Sequence, residues 1–228
     1  NKGTLTIDGL DLSALKFQNE DDRNIFFTKI EDLSVDALKT LVFDDNQMDE
    51  KMTSSFSVFL SKLKKNLRHL VLNNSVDVSE SSDGAVKLLG SLKNMNLVTL
   101  SLRSEKSSNF SFGSILTKQL NDLLLSMPTL KSIDVTGQCI SDSGLKSLES
   151  VITANKNIEE IYFDGSHSNV DSLFEFCQAV INSELKFASY PSEDFRREID
   201  KLKNKEELTF SENFDQVGKI LSLESQLA

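Results

Sequence analysis

The chain has 228 residues, 39% hydrophobic and 26% charged, with 35 acidic residues against 25 basic ones and a formal net charge of −10. This composition suits an ordinary folded core. The missing basic excess argues against duplex nucleic acid or an anionic membrane surface as partner, and favours a protein with a basic surface.

Two cysteines far apart in sequence, Cys139 and Cys177, form no paired framework of the secreted kind. The expected compartment is therefore reducing and cytoplasmic. No apolar run approaches the roughly 18 residues of a membrane span. The chain opens at Asn1 without a signal-like segment, and the expectation is a piece of a longer protein.

Leu5 and Ile7 alternate as in a strand and are expected to belong to an N-terminal cap or partial repeat over residues 1–11. From Leu12 onward, apolar anchors recur at offsets of zero, three and five. The sets are Leu12/Leu15/Phe17, Leu38/Leu41/Phe43, Leu67/Leu70/Leu72, Leu97/Leu100/Leu102, Leu130/Ile133/Val135 and Ile158/Ile161/Phe163. Two degenerate sets follow, Leu185/Ala188/Tyr190 and Lys205/Leu208/Phe210. The steps between first anchors are 26, 29, 30, 33, 28, 27 and 20 residues. Residues two apart in a strand point the same way, so the second and third anchors face one core and the residue between them faces out.

Between these strands lie stripes of helical period. They carry Met52, Phe56, Phe59 and Leu63, then Val86, Leu89 and Leu92, then Leu116, Leu120, Leu123 and Leu124. Residues 141–154 follow, with Ser141 or Asp142 as the cap and Leu145, Leu148, Val151 and Ile152 inward. Residues 169–181 place Leu173, Phe176, Val180 and Ile181 inward, and later stripes hold Phe195, Ile199 and Leu202, then Val217, Ile220 and Leu221. One stripe cannot bury itself, so stacking of neighbouring units must build a continuous core. The expected fold class is α/β: a solenoid with a parallel sheet on one side and helices on the other, forming a single domain over residues 1–228. Its repeats run over residues 12–204, with a degenerate repeat and cap over 205–228. Segments 73–83 and 103–114, the latter holding Phe110 and Phe112, are insertions expected to emerge as loops on one rim.

The stretch Leu130-Lys-Ser-Ile133-Asp-Val135-Thr-Gly-Gln-Cys139-Ile140-Ser-Asp-Ser-Gly144-Leu145-Lys-Ser-Leu148 resembles one unit of the ribonuclease-inhibitor-like leucine-rich repeats. The resemblance implies a horseshoe of about seven or eight repeats, sheet concave and helices convex. Similar units occur in NOD-like receptor C-terminal domains, tropomodulins, CARMIL-type actin regulators and Ran GTPase activators. The chain departs from that pattern three residues after the last anchor, where the family often places Asn or Cys. Here stand Glu20, Asn46, Ser75, Glu105, Gln138 and Ser166, with Cys139 one position late. A regular asparagine ladder is therefore not expected, and the turns should be irregular.

No residues are expected to be catalytic, to bind a cofactor or to hold a metal. His69 and His167 lie three repeats apart, and Cys-x-x-Cys pairs, helical His pairs and Gly-rich phosphate loops are all missing. The basic cluster Lys62, Lys64, Lys65 and Arg68 complements a helix C-terminus. The expected function is a non-catalytic, monomeric interaction scaffold binding a protein partner on the concave face or the loop rim. The alternative, implied by the resemblance alone, is a GTPase-activating or actin-regulator-like protein. The residues expected to bind are those between strand anchors. Val42, Val71 and His69 form an apolar strip with Thr40. Tyr162 is ringed by Asp134, Glu160 and Asp164, with Phe187 in the next repeat. An aromatic among carboxylates is the composition of a hot spot for a Lys- or Arg-bearing partner.

Overall fold

The structure, a computed structural model, describes residues 8–30, 37–46, 48–75, 83–104, 114–138, 140–163 and 169–188. Strands and helices alternate strictly: β1 (Gly9–Asp11), α1 (Glu20–Ile30), β2 (Thr40–Val42), α2 (Glu50–Lys62), β3 (His69–Val71), α3 (Asp83–Leu92), β4 (Thr99–Ser101), α4 (Ser114–Leu125), β5 (Ser132–Asp134), α5 (Asp142–Ala154), β6 (Glu160–Tyr162), α6 (Val170–Ile181) and β7 (Phe187–Ala188). The strands form one parallel seven-stranded sheet in chain order. Parallel neighbours need a crossover that runs back, so the six helices between them run parallel to one another in a solenoid-like array.

The anchors explain this architecture. Leu41, Leu70, Leu100, Ile133 and Ile161 stand directly opposite one another in the register, and all are buried. So are the first anchors Leu38, Leu67, Leu97, Leu130 and Ile158, and the third anchors Phe43, Leu72, Leu102, Val135 and Phe163. The helical stripes meet them from the other side: Met52, Phe56 and Phe59, then Leu89 and Leu92, then Leu120, Leu123 and Leu124. Leu145, Leu148, Val151 and Ile152 follow, then Leu173, Phe176 and Val180. These side chains form one core running the length of the array. Burial of each large aliphatic side chain stabilises the fold by about 1.5–3 kcal/mol before the entropy of ordering the chain.

The first repeat departs from expectation. Leu10, not Leu15, lies opposite Leu41. The anchor set is therefore displaced five residues toward the N-terminus, and Leu12 is its third member instead of its first. Leu12 belongs to two sets of the same offset, which is why the sequence permits both placements. Phe17 instead packs on Phe26 and Phe27 of α1, with ring centroids 5.4 and 6.4 Å away. The displacement makes room for α1, which the sequence reading passed over. Its buried residues Phe27 and Ile30 are a single turn apart, too short a stripe beside the adjacent Ile25 and Phe26 to stand out as periodic. Its ends are nonetheless favourable, with Glu20, Asp21 and Asp22 in the first turn and Lys29 in the last. Asn19 caps it by accepting the Asp22 N–H at 2.8 Å.

Acidic residues likewise open α2, α3, α5 and α6. Lys39, Arg68, Lys131 and Lys186 stand at the opposite rim, just before β2, β3, β5 and β7. Ser141 caps α5, whereas Asp142 reaches across and holds the amide and side chain of Asn169, the cap of α6, at 2.8 and 2.6 Å.

The turns after the strands are also more regular than the sequence reading expected. Asn46 donates through Nδ2 to the Leu12 carbonyl at 2.9 Å and accepts the Leu15 N–H at 3.0 Å. Ser75 donates to the Phe43 carbonyl and accepts the Asn46 N–H. Gln138 donates to the Leu102 carbonyl. Each of the three reaches the third-anchor carbonyl of the preceding repeat, so three residue types perform one task. One position earlier, Ala14, Asp45, Asn74 and Gly137 all have positive φ, between 49° and 77°. The same positive-φ turn therefore follows four of the strands.

The expected anchors Tyr190 and Phe210, the stripes after residue 188, Cys139, His167, Phe110 and Phe112 lie outside the described residues.

Candidate functional site

On the side of the sheet away from the helices, each three-residue strand presents its first and last side chains. One row reads Thr40, His69, Thr99, Ser132 and Glu160, with Phe187 next in register. The neighbouring row reads Asp11, Val42, Val71, Ser101, Asp134 and Tyr162. Side chains from β2 to β6 in these rows are half-buried by one another. The expected binding residues thus fall on one face as two patches separated by β4. Asp164 lies outside the described residues, and for Phe187 only the backbone is described.

Val42 and Val71 are direct cross-strand partners, as are Thr40 and His69. His69 is tied sideways, its Nδ1 lying 2.9 Å from Thr99 Oγ1. It therefore closes the polar edge of the strip.

In the second patch Asp134 and Tyr162 are cross-strand partners. Burial raises the Tyr162 hydroxyl above the ordinary phenol value, and the negative charges of Glu160 and Asp134 raise it further. A hydrogen bond from that hydroxyl to the Glu160 side chain acts in the same direction. Asp134 accepts the Thr136 N–H through Oδ1 at 2.9 Å. None of the ion pairs among the described residues involves Asp134 or Glu160.

The contrast lies just outside this face. Glu159 is gripped by Lys131 at 2.6 Å and Lys186 at 2.5 Å. Hydrogen bonds from Lys131 first and Lys186 second hold its carboxyl down at about 2. Glu159 is thus neutralised by two cations, whereas Asp134 and Glu160 join no ion pair among the described residues.

A second polar line was not anticipated. Asp44 accepts the Asn73 N–H at 2.9 Å and its Nδ2 at 3.3 Å, and Asn73 Oδ1 accepts Ser101 Oγ at 2.6 Å and the Arg103 N–H at 2.9 Å. Burial raises the Asp44 carboxyl above its usual range despite those donors. The consecutive polar residues after the third anchors, Asp44, Asn73 and Arg103, were the available sign. Asp11 escapes the sequence pattern for a different reason: the expected first set, Leu12/Leu15/Phe17, places Lys16 between its last two anchors, where the register places Asp11 opposite Val42.

Among the described residues no group of three His, Cys, Asp or Glu side chains could hold a metal ion. No described helix is long and apolar enough to cross a membrane. The chain matches no model of a known protein family and no curated protein.

Proposed function

We propose that the chain is a non-catalytic interaction module of the leucine-rich-repeat type, binding a protein partner on the sheet face of a horseshoe-shaped solenoid. The observation that carries the reading is the grouping of Asp134 and Glu160, which join no ion pair among the described residues, beside Tyr162 on one sheet face. A half-buried aromatic beside carboxylates offers a cation both a ring face and charge, and hot spots concentrate such anchors. The leucine-rich-repeat assignment is supported by in-register parallel strands, one helix per crossover and the turn ladder of Asn46, Ser75 and Gln138. A protein partner is favoured over nucleic acid by the net charge of −10. The two widely separated cysteines agree with work in a reducing, cytoplasmic compartment.

The test is affinity capture with the 228-residue chain, identification of the captured protein and measurement of its Kd with recombinant components. Tyr162→Ala combined with Asp134→Lys should weaken binding by about a hundredfold, the size expected for losing a hot spot of about 2–3 kcal/mol. Unchanged affinity would remove this face from the interface.

A further inference from the structure

We propose that the partner element seated on this face is an amphipathic α-helix lying across the strands, with cationic side chains at two positions three or four turns apart. This rests on the reading of the face as the docking surface and specifies what it takes.

The row from Asp11 to Tyr162 carries the argument. In register it runs carboxylate, valine, valine, serine, carboxylate, tyrosine. The two carboxylates are held alike: Asp11 Oδ1 accepts the Ser13 N–H at 2.9 Å, and Asp134 Oδ1 accepts the Thr136 N–H at 2.9 Å. Each is thereby fixed in orientation by its own backbone two residues on, and neither belongs to an ion pair among the described residues. Between them lie Val42 and Val71 beside Asp11, then the small Ser101.

Three physical constraints then select the occupant. First, the strands already pair their backbones with one another, so the face offers side chains only. A segment docked there must satisfy its own N–H and C=O groups, and a helix does this internally. Second, the strands are three residues long, roughly 10 Å, so an element of several turns fits only across them. Third, Asp11 and Asp134 are four strand spacings apart, about 19 Å. At 1.5 Å per residue that is about 13 helical residues, and the same-face positions nearest to it are about 11 and 14 residues away. Lys or Arg stems take up the remainder.

The pattern is therefore directional along the row. One cation meets Asp11, with apolar residues one and two turns later over Val42 and Val71. A small residue follows over Ser101, and the second cation lies between Asp134 and the Tyr162 ring. Arginine suits this last position, because it pairs with the carboxylate and stacks on the ring.

The probe is a set of fluorescein-labelled helical peptides with leucines at the apolar positions and arginines two, three, four or five turns apart. Binding to the 228-residue chain is read by anisotropy at low salt. The three- and four-turn peptides should bind about tenfold tighter than the two- and five-turn ones. Asp11→Lys and Asp134→Lys should each cost about tenfold, and a peptide with Glu in place of the corresponding arginine should recover it. That recovery also shows that the variants are folded. Affinity independent of spacing, or no recovery on charge exchange, overturns the helix. If that happens while the captured protein still depends on Tyr162 and Asp134, the binding face itself stands. A captured protein indifferent to both residues overturns the face.

Discussion

Ser75→Ala is ordinarily a mild change, and this fold should make it a severe one. Ser75 is fully buried, at 0% exposure. Its hydroxyl donates to the Phe43 carbonyl and accepts the Asn46 N–H. Alanine has nearly the same volume, so no space opens for a replacement water. The buried Phe43 carbonyl and the part-buried Asn46 amide would both lose their side-chain partner. Each buried group left unmatched costs about 1–3 kcal/mol. The expected total is about 2–4 kcal/mol, or at least a thirtyfold shift in the folding equilibrium at about 1.4 kcal/mol per factor of ten. Asn46→Ala, at a half-buried position, removes two similar bonds but lets water in, and should cost less. Urea unfolding followed by far-ultraviolet circular dichroism measures both. A loss under about 0.5 kcal/mol for Ser75→Ala, within the range of an ordinary surface substitution, would refute the ladder as a stabilising device.

Gly137→Ala should cost about 3 kcal/mol or more, because φ is +77° and an added Cβ would overlap the Ser104 carbonyl, whose carbon would lie 2.8 Å away. Ala14→Gly, in the equivalent turn, should be neutral or stabilising in the same urea assay. Glu159 has a folded pKa near 2 against an ordinary value of 4.5. The stability its ionised form contributes is therefore full above about 4.5 and lost as pH falls toward 2. The Tm difference between the wild type and Glu159→Gln should shrink through that window, and a constant difference would contradict the lysine clamp. Glu160→Gln should lower the Tyr162 ionisation toward the phenol value of 10, because it removes a negative charge and a strong acceptor. Ultraviolet titration of the two tyrosines reads this directly. Leu70→Ala should cost about 2–5 kcal/mol, since Leu70 is fully buried in the central part of the sheet.

The strands and most helices were legible because burial repeats with a fixed spacing, and spacing survives in sequence. The outward rows were legible for the same reason: Val42, Val71, Asp134 and Tyr162 are simply the residues between anchors. The first repeat was ambiguous because Leu12 satisfies two placements, and only pairing with β2 decides between them. The turn ladder was illegible because its acceptors are backbone carbonyls. Asn46, Ser75 and Gln138 look unrelated as letters, yet each supplies a donor at the same point in space. The Lys131–Glu159–Lys186 clamp was hidden likewise, since its members lie 28 and 27 residues apart and meet only when repeats stack.

The parallel helices with acidic first turns, and the cations ahead of the strands, have a further consequence when taken together. Each helix end carries about half an elementary charge, while each side chain near it carries a full one. Glu20, Asp21, Asp22, Glu50, Asp83, Asp142 and Asp171 therefore more than reverse the sign at their rim. Lys39, Arg68, Lys131 and Lys186 act in the opposite sense at the other rim, where Glu159 offsets one of the last two. Because the units stack without reversing direction, these contributions add instead of cancelling. Among the described residues, acidic side chains thus gather at one rim of the array and basic ones at the other. The cationic partner proposed above would be turned before contact and meet the acidic rim first. Binding from that side should slow with added salt far more than dissociation does.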